Sequence, residues 1–158
     1  MAHRVFVWYF DLEGVTLSKI GFMSDSSQSK LEIIGGEAVV ADWMQRFYDR
    51  VAKNPVLIPL FPSDLTASRE KQTAYMVEFL GGEKRYTEKY GKPFLRFRHR
   101  KISIGIPERD AWMNLFMETL REVCQDQSFI AGLESEIGPI ATAMINHDPE
   151  KKDAYFFN

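Results

Sequence analysis

From residue 31 onward, apolar residues recur at spacings of three and four, the period of helices that bury one face. Between Glu37 and Ala52, Val40, Trp43, Met44, Phe47, Tyr48 and Val51 make one broad stripe, begun after Gly35-Gly36 and closed by Asn54-Pro55. A compact link follows, Leu57 to Pro62, whose two prolines oppose helix. A second helix is predicted from Ser63-Asp64 or Thr66, all good N-caps, to Gly81-Gly82, a strong stop. Its inward stripe reads Leu65, Ser68, Gln72, Tyr75/Met76 and Phe79. Two of these are polar. Buried polar groups need partners, so this face looks onto something that forms hydrogen bonds. Residues 83–101 are less regular, broken by Gly91 and Pro93. A third helix begins at Pro107, with Glu108 and Asp110 in its first turn and Trp112, Leu115, Phe116, Thr119/Leu120 and Val123 along its stripe. A fourth covers about Ser128 to Asn146, with Phe129, Ile130, Leu133, Ile137, Ile140 and Met144 inward and a kink expected at Pro139. Strand-like patterns are confined to Val5–Phe10 and Leu95–Ile104, so the expected class is all-α.

The polar, serine-rich stretch from Ser24 to Lys30 marks the first boundary. Residues 1–30 read as an N-terminal extension, 31–150 as the single domain and 151–158 as a tail. Val5–Phe10 has no local strand to pair with. It and the apolar tail Ala154–Phe157 are expected to pack on the domain, on each other or on a second copy, so the chain is a monomer or a homodimer. Twelve Phe, three Trp and seven Met supply a core and suit a pocket for a large flat apolar ligand. A net charge of −2 argues against nucleic acid or an anionic membrane as the main partner. One cysteine, Cys124, excludes an internal disulfide and any multi-cysteine metal site, and fits a reducing cytoplasm. No apolar run has the length of a membrane span.

The chain has three histidines: His3, His99 and His147. His99 sits in Phe94-Leu95-Arg96-Phe97-Arg98-His99-Arg100-Lys101. For a metal cofactor held through one nitrogen, His99 is the candidate. A neutral imidazole suits the axial position of haem iron, and the neighbouring cations suit two propionates. On residue type alone, a solvated histidine among arginines stays open. So does a basic–aromatic patch for RNA, although the near-neutral net charge and helical surroundings oppose the latter.

A set of ordered motifs goes further: Gly35-Gly36, Phe47-Tyr48, Leu60-Phe61-Pro62-Ser63-Asp64-Leu65, Gly81-Gly82, Tyr86-Thr87-Glu88, Leu95-Arg96-Phe97-Arg98-His99 and Arg109-Asp110-Ala111-Trp112. Together they resemble the truncated haemoglobins of the second group, over about residues 32–146. The resemblance implies a two-over-two helical sandwich around a b-type haem (iron protoporphyrin IX). It matches His99 to the proximal iron ligand, Trp112 to the distal tryptophan and Tyr48 to the distal tyrosine. Gln72 and Ser68 match polar pocket positions, and Phe61 matches the residue packed on the haem ring. Lys71, Tyr86 and Arg98 match the residues that hold the propionates.

The implied function is binding of dioxygen, nitric oxide and other diatomic ligands at a five-coordinate iron. Dioxygen on ferrous iron carries partial negative charge, which Trp112, Tyr48 and Gln72 would stabilise as donors. At about 0.5–1.5 kcal/mol net per neutral hydrogen bond, two or three donors slow ligand escape by about one to three decades. Slow release suits scavenging, redox chemistry or sensing better than bulk oxygen transport. The alternative is a haem enzyme that detoxifies nitric oxide (as a dioxygenase) or peroxide. It would draw electrons from a separate reductase, because the chain has no glycine-rich dinucleotide fingerprint.

Overall fold

The structure, a computed structural model, describes residues 28–147. Seven α-helices make up this region and it contains no strand. They are α1 (Lys30–Ile34), α2 (Glu37–Val51), α3 (Thr66–Phe79), α4 (Arg85–Tyr90), α5 (Leu95–His99), α6 (Ile106–Val123) and α7 (Gln127–Thr142). A single 3-10 turn spans Ile58–Leu60 in the proline-containing link. Val5–Phe10, His3 and the apolar C-terminal tail lie outside the described residues, as do the packing expectations placed on them.

The four long helices form two packed pairs. α2 lies on α3, α6 lies on α7, and α2 joins the pairs by packing on α6. This is the two-over-two sandwich that the resemblance implied. Its centre is aromatic: the rings of Trp43 and Phe116 are 4.5 Å apart, and those of Phe47 and Phe116 are 5.7 Å apart. All three residues are fully buried, together with Val40, Met44, Val51 and Leu120. The indole N–H of Trp43 donates to the Phe116 carbonyl and to Thr119 Oγ1, each at 3.1 Å. A buried polar group without such partners would cost about 1–3 kcal/mol.

Local chemistry sets most of the boundaries. Ser29 and Glu32 form a reciprocal capping box on α1. Gly35 then turns the chain at φ 106°, a left-handed conformation that glycine adopts without steric cost. Asp64 Oδ1 accepts from the Thr66 amide at 2.9 Å where α3 begins. After α3, Gly82 lies against Leu31 and the Val77 carbonyl so closely that an added Cβ would meet them at 2.7 and 2.9 Å. Asp126 Oδ1 caps α7 by accepting from the amides of Ser128 and Phe129, both at 2.9 Å.

Two expectations need correction. Residues 83–101 are more regular than their breakers indicate, because they hold α4 and α5. Gly91 ends α4, and Phe94 starts α5 at φ 38°. The three carbonyls of Tyr90, Lys92 and Pro93, which no helix pairs, accept from the guanidinium of Arg98. The strand-like alternation beginning at Leu95 is therefore helix through His99. The last helix, in turn, stops at Thr142 rather than Asn146. Chain beyond it turns back, and the Asn146 amide donates to the Ile104 carbonyl at 2.9 Å. Pro139 lies inside α7 and leaves the Ser135 carbonyl without its helical donor, yet the helix continues for another three residues.

Candidate functional site

A cavity of about 690 Å³ opens between α3, α5, α6, α7 and the Leu57–Pro62 link. Its size lies in the range of about 300–1,000 Å³ usual for ligand and cofactor sites. Every residue that the sequence singles out lines it: His99, Tyr48, Trp112, Ser68, Gln72, Phe61, Lys71, Tyr86 and Arg98.

His99 closes α5 and is half-buried. Its Nδ1 lies 2.8 Å from the Leu95 carbonyl, one helical turn back. A carbonyl can only accept, so Nδ1 carries the hydrogen in this contact, and in the neutral ring the lone pair is then on Nε2. A hydrogen bond of this kind behind the ring fixes the orientation and basicity of a metal-ligating imidazole. The segment after His99 is tied down by a residue 47 positions away. Asn146 Nδ2 donates to the carbonyls of His99 (3.1 Å) and Ile102 (2.8 Å), while its Oδ1 accepts from the Ile104 amide at 2.9 Å.

Four polar groups line the cavity from α2, α3 and α6. Tyr48 is buried beside Phe47 and Phe61, with ring centroids 5.2 and 5.9 Å away. Burial pushes its phenol well above the ordinary range, so the O–H stays intact as a donor. Trp112 stacks on Phe116 at 4.4 Å and meets Phe47 edge-on at 5.6 Å. Among the described residues, no acceptor takes the Trp112 indole N–H, and neither the Tyr48 and Ser68 hydroxyls nor the Gln72 amide has a partner. Trp43, by contrast, spends its N–H twice inside the core.

The mouth is cationic. Tyr86 is buried, its ring 5.3 Å from Tyr75 and 5.4 Å from Tyr90. Lys71 is exposed, with Nζ 5.3 Å from the centre of the Tyr90 ring. Arg98 has Cζ 5.8 Å over the Tyr86 ring. Two of its three nitrogens are already held by backbone carbonyls, which leaves Nη1 for any external anion. Arg100 and Lys101 complete the rim.

Sequence reasoning misses several members of this site. Phe94 and Phe97 line the cavity, although in the sequence they sit within a run of cations that hides them. Arg109 also lines it; a motif contains it, but nothing in its spacing indicates the contact. Asn146 carries no sequence signal, because its role depends on where α7 ends. His147 and Cys124 are not in the lining. No group of three or more His, Cys, Asp or Glu side chains among the described residues could hold a metal ion alone. A metal at His99 therefore needs a cofactor that brings its remaining ligands.

Known proteins resemble this chain in sequence and in fold. The family model for bacterial-like globins matches residues 29–146. A group 2 truncated haemoglobin of Bacillus subtilis, YjbI, is 38% identical over 115 residues, which cover 73% of this chain and 80% of that one. The haemoglobin of the thermophilic phototroph Chloroflexus aurantiacus is 36% identical with a TM-score of 0.74, covering 77% of this chain and all of that one. The group II 2-on-2 haemoglobin of Agrobacterium tumefaciens is 32% identical with a TM-score of 0.75, covering 80% of this chain and all of that one. The residues present fit a haem: one oriented imidazole with a free Nε2, apolar walls, cations at the mouth and unpartnered donors inside.

Proposed function

This chain belongs to the bacterial-like globins, as a group 2 truncated haemoglobin, and from that premise we propose that it binds dioxygen and other diatomic ligands at a b-type haem held by His99. Globins carry haem, which supplies an iron that takes up small diatomic ligands. The observation that carries the residue-level reading is the 2.8 Å contact from His99 Nδ1 to the Leu95 carbonyl inside the cavity. It supports Nε2 as the nitrogen ligand, His99 being the only histidine of the lining among the described residues. A haem held there would supply an iron with a position open to a diatomic ligand.

The other side chains divide the remaining work. Trp112, Tyr48 and Gln72 offer donors to the ligand, and Ser68 adds a hydroxyl on the same helix as Gln72. Phe61 packs against the macrocycle. Tyr86 and Lys71 take the propionates, with Arg98 contributing its charge and Nη1. A lone buried thiol, Cys124, suits a reducing cytoplasmic setting.

The test is hemin titration of the purified protein. The expected result is a 1:1 complex with a strong Soret band. His99→Ala should lose the pigment, or regain it only when free imidazole is added. A His99→Ala protein with the wild-type ferrous spectrum would remove His99 from the site. The enzymatic reading, turnover of nitric oxide or peroxide with electrons from a reductase, uses the same donors. It is separated from ligand binding by sustained turnover in the presence of a reductant.

A further inference from the structure

The chain segregates its charge. Residues 84–101 carry eight lysines and arginines against one acidic residue, Glu88. The other 140 residues hold twelve such cations and twenty-one acids. A net charge of −2 thus conceals a strongly basic α4–α5 face on an acidic molecule. Two propionates at the cavity mouth would offset only part of a surplus of seven.

Arg85 is paired with Glu37 and Glu83, but most of this surplus is presented to solvent. Lys89, Lys92, Arg96, Arg100 and Lys101 are exposed. Arg98 has donors taken up by three neighbouring carbonyls, and Arg100 gives one to the Phe97 carbonyl. Lys71 from α3 and Lys89 from α4 each stand 5.3 Å from the Tyr90 ring, so like charges crowd together there. No acidic side chain pairs with these six cations among the described residues. At the centre of the face, Phe94 and Phe97 are 67% and 64% exposed. Arg100 lays its guanidinium 3.6 Å from the Phe97 ring. Beside them a shallow depression runs over Pro93, Leu95 and Met144. An aromatic centre within a charged rim has the composition of a protein-docking site. Phe94, Phe97, Arg100 and Lys101 also line the cavity, so the face continues into the haem site.

We propose that this basic, aromatic-centred face is the docking surface for an acidic one-electron carrier protein that reduces the iron. The proposal rests on the haem-binding reading above. One electron passes from the reduced flavin or iron–sulfur centre of the carrier to ferric iron; the products are ferrous iron and the oxidised carrier, and no atom changes hands. Positive charge around the cavity mouth steers an acidic partner to the place where the electron must enter, and keeps the complex short-lived and salt-sensitive. Electron-transfer encounters of this kind bury little surface, which a short face of two helices can supply.

The experiment uses the hemin-loaded full chain in its ferric form and reduced plant-type ferredoxin, an acidic carrier, as the probe. Reduction is followed by stopped flow between about 0.01 and 0.15 M salt, over which the Debye length shrinks from about 30 to 8 Å. The expected second-order rate falls at least tenfold across this range. The double variant Lys92→Glu/Arg96→Glu, whose positions lie outside the main cavity, should lose at least tenfold at low salt. Its Soret band and oxygen dissociation rate should stay at wild-type values. The control Lys53→Glu/Arg121→Glu makes the same charge change elsewhere and should retain most of the rate. A rate indifferent to salt, or lost equally in the control, overturns the proposal. So does binding of the loaded protein to phosphatidylserine vesicles or to polyuridine at 0.15 M salt more tightly than to ferredoxin. Failure to take up hemin is a different result: it defeats the haem reading itself and is seen before any ferredoxin is added.

Discussion

Trp43 and Trp112 show how far residue identity reaches. Both lie on apolar helix stripes; Trp43 is fully buried and Trp112 half-buried. Trp43 donates its N–H to Phe116 and Thr119, so it belongs to the core. Trp112 has no acceptor for its N–H among the described residues and stands at a cavity wall, which suits the ligand-facing role proposed for it. Trp112→Phe preserves the stack on Phe116 and removes only the donor. At about 0.5–1.5 kcal/mol for one hydrogen bond, the oxygen dissociation rate should rise about two- to twelvefold in a rapid-mixing measurement. Trp43→Phe should instead lower stability, because it leaves the Thr119 hydroxyl short of a partner, and should leave the dissociation rate unchanged.

Tyr48 makes a second prediction at this scale. Its folded pKa lies above the unfolded value of about 10. The neutral form is therefore favoured in the folded protein, and the associated stability is complete below pH 10. As pH rises beyond that, the unfolded chain releases the proton while the folded one retains it, so stability falls. Melting temperatures of the apoprotein should decline above about pH 10, and Tyr48→Phe should flatten the decline. Tyr75 is shifted the same way, first by burial, so a residual slope should survive in the variant.

Between elements, the segment around His99 depends on hydrogen bonds from Arg98 nearby in the chain and from Asn146 far along it. Arg98 closes the α4–α5 turn by binding three carbonyls, and Asn146 fastens the segment that follows His99. Asn146→Ala leaves the Ile102 carbonyl and the Ile104 amide without protein partners, and the His99 carbonyl with the Ile102 amide alone. Unfolding by urea should show a loss of about 1–3 kcal/mol. Urea unfolding of Asn146→Asp should show a similar loss, since it keeps an acceptor for Ile104 but loses the amide donors. At the other end of α4, the Thr87 amide and hydroxyl donate to the Glu78 carboxylate and hold its pKa below the ordinary value. Stability from this pair is present above the unfolded pKa and fades as pH falls through the folded one. Most of these partners are invisible in sequence. Helix periodicity correctly indicated α2, α3, α6 and α7, because a repeated apolar stripe is a local property. The short helices α4 and α5 were hidden because Gly91 and Pro93 signal interruption, whereas the Arg98 side chain supplies order by taking up the carbonyls of the turn between them.

For the whole molecule, the cavity is the main energetic fact. A domain that encloses about 690 Å³ has core residues facing empty or solvent-filled space until a ligand packs against them. Hemin that binds the folded chain alone stabilises it by RT ln(1 + [L]/Kd), about 4 kcal/mol at a thousandfold excess over Kd. For a chain of this size that corresponds to roughly 10 °C in melting temperature. Extracting the hemin should lower the melting temperature by this order in a calorimetric scan, and adding it back should restore the loss. An unchanged melting temperature would show that the cavity is not where hemin binds.

Sequence alone determined the helical class and the positions of the long helices, since the spacing of apolar side chains dictates which face each helix must bury. It also marked His99, Trp112, Tyr48 and Gln72 as candidates, through residue type and through ordered resemblance to a known family. Tertiary structure decided which of two similar tryptophans keeps its donor free, which ring nitrogen of His99 is engaged, and how Asn146 and Arg98 brace the proximal side. The Trp43 and Asn146 contacts join residues far apart in the chain, while those of His99 and Arg98 are local but depend on how α5 and the turn before it are built. A hydrogen bond is made or lost over a few tenths of an ångström, and no local pattern encodes that.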